Sequence, residues 1–174
     1  MINIFFVFYL LIVLFSVIGA MRGWAKEILV TTSVILALAF ITVLETLVPL
    51  VGPLIHGSPP KTQFWFHAIL VSLLVFFGYQ SPNLPTFAGK TRSDRVQDWL
   101  LGFFLGAING YLIVGTLWYY VHTAKYPFPN VFELNPKDAN ILKIISYTAP
   151  QLLSGTTVYI SIVLAFIFVI IVFL

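Results

Sequence analysis

Five apolar runs separated by short polar stretches organise this chain. They cover residues 2–20, 28–51, 63–79, 99–120 and 156–174, and the last of them contains no charged residue. Each approaches the roughly 20 residues that a helix needs to cross a hydrocarbon core of about 30 Å. The pattern predicts antiparallel membrane helices. Only Met21 to Glu27 lies between the first two runs, a connection short enough to make those spans antiparallel neighbours. Pro49, Gly52 and Pro53 are expected to end the second span. Breaker-rich loops then follow at residues 56–61 and 80–97.

Between the fourth and fifth runs lies a longer polar segment, residues 122–155. Asn135-Pro136 has the composition of a helix start, since Asn caps and Pro suits the first helical position. Ile141, Leu142, Ile144 and Ile145 then recur at helical spacing, with Lys137, Asn140 and Lys143 free to face away from them. A short amphipathic helix, ended near Pro150, is expected on the membrane surface or against the bundle.

Composition restricts the class further. Of the 174 residues, 60% are hydrophobic and 9% charged, and the mean hydropathy is +1.00. Soluble domains do not carry such a balance. The expected fold is an all-α, polytopic transmembrane bundle of four core spans plus a fifth C-terminal span. The first run lacks the basic start and short apolar stretch of a cleavable signal peptide, so it is read as a retained span.

The net charge of +3 lies mainly in loops and bears on orientation, not on nucleic acid, for which there is no signature. Arg22, Lys26, Lys90, Arg92 and Arg95 fall on one side, against Lys61, Lys125, Lys137 and Lys143 spread over longer chain on the other. The positive-inside tendency makes the first set cytoplasmic, with the N-terminus outside. Absence of cysteine removes thiolate catalysis, disulfides and iron–sulfur ligation.

The candidate residues divide into packing and chemical groups. Gly102, Gly106 and Gly110 recur every four residues, a spacing that lines one helix face and lets a second backbone come close. Asn109 lies beside this seam and is expected to bond across helices. Whether the neighbour belongs to the same chain or another is open, with intramolecular packing favoured. Glu45 is a candidate buried functional carboxylate that would relay protons or balance a cation. It stands about six residues, or about 9 Å, from the expected end of its span, which favours an interfacial side chain.

His67 is a candidate ligand for a metal or a pigment, but no second ligand stands at a recognisable spacing. Phe64, Trp65 and Phe66 around it have the look of an interfacial aromatic belt. His122 beside Trp118, Tyr119 and Tyr120 is read in the same way. Arg22, Gly23, Lys26 and Glu27 are expected in a cytoplasmic turn touching lipid headgroups or a partner, with Arg92 and Arg95 near them. No nucleophile elbow, phosphate loop, zinc motif or carboxylate pair occurs, so neither an enzyme nor a bound metal or cofactor is expected.

Two stretches bear a family resemblance. Gly19-Ala20-Met21-Arg22-Gly23-Trp24-Ala25-Lys26-Glu27 resembles the Arg-Gly and Lys-Glu pattern that opens CvpA proteins, the colicin V production family. Arg95 to Gly102, running on to Gly110, is similar to that family's Gly-rich fourth span after a basic loop. The resemblance implies a CvpA-like four-span domain over residues 1–121. An extramembrane segment with the amphipathic helix over 122–155 and a C-terminal transmembrane helix over 156–174 lie partly outside the family pattern. It further implies an integral inner-membrane protein linked to toxin export and envelope maintenance. The expected function is that of a non-enzymatic scaffold or transport-related component in contact with the lipid bilayer and other membrane protein subunits. The alternative is a small accessory subunit of a large respiratory or photosynthetic membrane complex, and an enzyme acting on lipid ranks behind both.

Overall fold

A computed structural model describes residues 3–80, 92–128 and 139–173, which form eight helices and no strand. They are α1 (Ile4–Arg22), α2 (Trp24–Leu47), α3 (Val51–His56), α4 (Pro60–Tyr79), α5 (Arg92–Thr123), α6 (Ala139–Ser146), α7 (Ala149–Leu152) and α8 (Thr156–Phe173). Among the described residues α1, α2, α4 and α5 are long and apolar enough to cross a membrane. Their exposed faces are apolar too: Leu10, Val13 and Val17 on α1, and Leu73, Phe76 and Phe77 on α4, are each about half exposed or more. A patch so large belongs against lipid.

Local chemistry sets the helix ends. Asn3 caps α1, its Oδ1 accepting from the backbone N–H of Phe5 and Phe6. A single residue, Gly23, separates α1 from α2, in a conformation (φ 84°, ψ 157°) that side-chain-bearing residues scarcely enter. Pro60 takes the first position of α4, where a missing N–H costs nothing. At 1.5 Å per residue the 32-residue α5 is about 48 Å long, so its polar start, Arg92 to Asp98, extends past the hydrocarbon.

Several helix ends and contacts differ from those the sequence pattern predicts. The second span ends at Leu47, earlier than the proline cluster, and Gly52 and Pro53 belong to a separate short helix, α3. The amphipathic helix occurs as α6 with Ile141 and Ile145 buried, but it stops at Ser146, and Pro150 is the second residue of α7. Lys90, Asn135 and Pro136 lie outside the described residues. Although α1 and α2 are consecutive, they touch little. The most extensive helix contact is α1 on α5, while α2 packs on α4, α5 and α8.

Two apolar clusters follow from this arrangement. Val30, Val34, Ile41, Val71, Val75, Ile113 and Tyr120 join α2, α4 and α5. Ile4, Phe8, Trp118, Ile141 and Ile145 join α1, α5 and α6. Trp118 and Tyr120 are therefore core residues and not members of a lipid-facing belt, because α6 and α4 cover them.

Candidate functional site

Where α1 crosses α5, glycines face glycines. A Cβ built on Gly19 would meet the Gly102 carbonyl oxygen and sit 2.6 Å from the Gly106 Cα, and Gly110 lies against Ile12 and Phe15 of α1. The seam is thus intramolecular, and its partner is α1. No side chain fits at the crossing. Close approach of the two backbones brings the start of α5 beside the α1–α2 break, where the backbone N–H of Trp24 donates to Asp98 Oδ1 at 3.2 Å.

The same approach buries a polar network around Glu27. Sequence reading placed Glu27 in a surface turn, but α2 begins at Trp24, which puts Glu27 in the first helical turn with no solvent exposure. Its Oε1 accepts from Arg22 Nη1 at 2.5 Å, and its Oε2 accepts from Asn109 Nδ2 at 2.8 Å. Asn109 Nδ2 also donates to the Glu27 carbonyl at 2.8 Å. Thr31 Oγ1 completes the amide's set by donating to Asn109 Oδ1 at 2.7 Å. Every polar atom of the Asn109 side chain is engaged, as burial demands.

Arg22 extends the network to α4. Its Nη2 donates to the Tyr79 carbonyl at 3.1 Å, satisfying a backbone acceptor at the α4 C-terminus, where a cation is favoured. The guanidinium also lies over the Tyr79 ring, 4.4 Å from its centroid. Four helices therefore meet at one ion pair: α1 through Arg22, α2 through Glu27, α4 through Tyr79 and α5 through Asn109. Lys26 is only partly covered and Arg95 is exposed, while Arg92 begins α5 with its side chain outside the described residues. The turn is not a uniform basic surface.

At the opposite end of the bundle Glu45 and His67 come together. Glu45 is two residues from the end of α2, and its Oε1 lies 2.7 Å from His67 Nε2 on α4. His67 Nδ1 faces the Gln63 carbonyl at 2.7 Å, and the imidazole stacks on the Tyr120 ring with centroids 4.2 Å apart. No group of three or more metal-ligating side chains occurs among the described residues. The pair borders a cavity of about 280 Å³ between α2, α4 and α5, closed on one flank by the α7–α8 connection. His67 is 8% exposed, so the neighbouring aromatic Phe64 and Tyr120 act as cavity wall and ring support.

The roles of Thr31, Tyr79 and Asp98 escaped sequence reading. One signal was available: an Asn inside an apolar span must find partners, and Glu27 and Asp98 each directly precede an apolar run. Nothing in spacing alone joins Glu45 to His67, which are 22 residues apart.

A family model described as Colicin V production protein matches residues 6–145. No curated protein and no solved structure matches the chain. The matched range includes both ends of the Arg22–Glu27–Asn109 network and the Glu45–His67 pair, and it stops before α7 and α8.

Proposed function

The chain belongs to the colicin V production protein family, and from that membership we propose that it serves the bacterial inner (cytoplasmic) membrane as a non-enzymatic, transport-related or scaffolding component of the envelope. The observation that supports this reading best is the asymmetry of the bundle. One end is fastened across four helices by the Arg22–Glu27–Asn109 network, and the other opens into a cavity holding an acid and a base. A fixed end and an open end suit a membrane component that receives something from one side.

Orientation follows from the basic residues. With Arg22, Lys26, Arg92 and Arg95 at the cytoplasmic face, the N-terminus and the cavity lie outside. In this reading α8 is a fifth span. Its 18 residues give about 27 Å of helix, close to the hydrocarbon thickness, and it rests against α2.

Purification in mild detergent, followed by mass spectrometry of co-eluting proteins, tests the reading. Constant-ratio recovery of envelope or export components supports it. Constant-ratio recovery of respiratory or photosynthetic subunits contradicts it.

A further inference from the structure

The hydrogen bonds of His67 fix its proton count. A carbonyl can only accept, so the Nδ1 facing the Gln63 carbonyl carries a hydrogen. Nε2 and Glu45 Oε1, 2.7 Å apart, then need one further proton between them, held either as imidazolium with carboxylate or as imidazole with carboxylic acid. Both forms bear no net charge and contain the same number of protons. Tyr120, stacked on the ring, prevents the imidazole from turning away. The pair is one proton-binding unit.

The rest of the cavity wall is rich in acceptors. Thr42 Oγ1 donates to the Leu38 carbonyl at 2.9 Å, Thr123 Oγ1 to the Tyr119 carbonyl at 2.9 Å, and Ser154 Oγ to the Gln151 carbonyl at 3.0 Å. With their hydrogens committed to backbone, these lining hydroxyls present lone pairs to a ligand. Among the described residues no Lys or Arg lines the cavity. Tyr119 and Tyr120 add aromatic faces, and they and His56 on α3 are the titratable groups beside the pair among the described residues of the wall.

We propose that this cavity binds a small monovalent cation, an alkali ion or a protonated amine, in exchange for the single proton shared by Glu45 and His67. When the cation arrives, the shared proton leaves to water, Glu45 keeps its negative charge for the cation, and His67 remains neutral with its hydrogen on Nδ1. Charge in the cavity is unchanged by the exchange. Oxygen donors and a single carboxylate suit such a cation better than they suit a transition metal.

The assignment rests on the transport-related reading but is tested on the purified chain alone, whereas that reading is tested by what co-elutes. Sodium chloride and ethylammonium chloride are titrated separately into detergent-solubilised protein at about pH 6 and about pH 8.5, on either side of ordinary imidazole titration. N-methylglucamine chloride serves as the bulky control. The expected result is saturable binding of sodium or of ethylammonium, tighter at the higher pH by up to about tenfold per unit. An indicator dye should register about one proton released per cation bound. Which salt saturates distinguishes the inorganic from the organic cation.

Glu45→Gln, nearly isosteric, is expected to abolish both binding and proton release. His67→Gln is expected to retain cation binding while losing most of its pH dependence. The proposal is overturned if neither salt binds above the control at either pH, if binding releases no proton, or if Glu45→Gln binds as the wild type does.

Discussion

Asn109 of α5 grips Glu27 of α2 at two points, one amide nitrogen donating to both the backbone carbonyl and the carboxylate Oε2, each at 2.8 Å. A two-point contact of this kind fixes rotation of one helix against the other as well as their distance. Asn109→Ala removes both bonds and the shorter of the two contacts of Thr31 Oγ1, which keeps the Glu27 carbonyl at 3.2 Å. Loss of about 1–3 kcal/mol is expected, readable as a lower midpoint in thermal unfolding in detergent.

Glu27 carries more, because its removal leaves Arg22 facing a buried gap. Glu27→Ala is expected to cost about 3–5 kcal/mol, the range found when one partner of a buried pair is deleted. Arg22→Met with Glu27→Met should recover a large part of that loss, since neither charge is then stranded. A double-mutant cycle checks this; strictly additive losses would show that the two side chains act independently.

The α1–α5 crossing tolerates no side chain on either helix. Gly106→Leu would force Cβ to within 2.9 Å of the Gly19 Cα, and backbone cannot give way as a flexible side chain does. Overpacking of this kind costs about 1–3 kcal/mol or more. The expected outcome is an aggregated or undetectable protein on size-exclusion chromatography. Gly115→Ala further along α5 meets the Thr148 side chain at 3.4 Å and the Phe8 ring at 3.9 Å, ordinary van der Waals distances, and should fold normally.

Gly23→Ala isolates the α1–α2 break. Its φ of 84° is strained for any side chain, and the new Cβ would approach Asp98 Oδ2 to 2.7 Å. About 1–3 kcal/mol of destabilisation is expected. Asp98→Asn, which keeps the acceptor for the Trp24 N–H, should cost less by the same unfolding assay.

Much of the bundle was legible in the sequence because length and apolarity suffice to place spans, as α1, α4 and α5 illustrate. The seam at Gly102 and Gly106 was legible for the same kind of reason, since a repeat of small residues has a direct steric meaning. Its partner was not, because nothing local distinguishes Gly19 of α1 from other small residues. Glu27 was misplaced by a boundary error of four residues: starting the second span at Ile28 left the carboxylate in a turn, and starting it at Trp24 buries it. Neither Glu45 nor His67 points to the other in the sequence. Their meaning arises only from antiparallel packing of α2 and α4, which brings the end of one helix beside the first turns of the other.

The central claim, a bundle fastened at the α1–α2 end and open at the outer end, is tested most directly by cysteine labelling. The chain contains no native cysteine, so single-cysteine variants report one position each. Thr42→Cys and Ser154→Cys at the cavity should react with a membrane-impermeant maleimide in intact cells, while Thr32→Cys, buried in α2, should stay unlabelled in cells and in inverted vesicles alike. Labelling of the cavity positions only in inverted vesicles, or labelling of Thr32→Cys as fast as Thr42→Cys, would contradict the account.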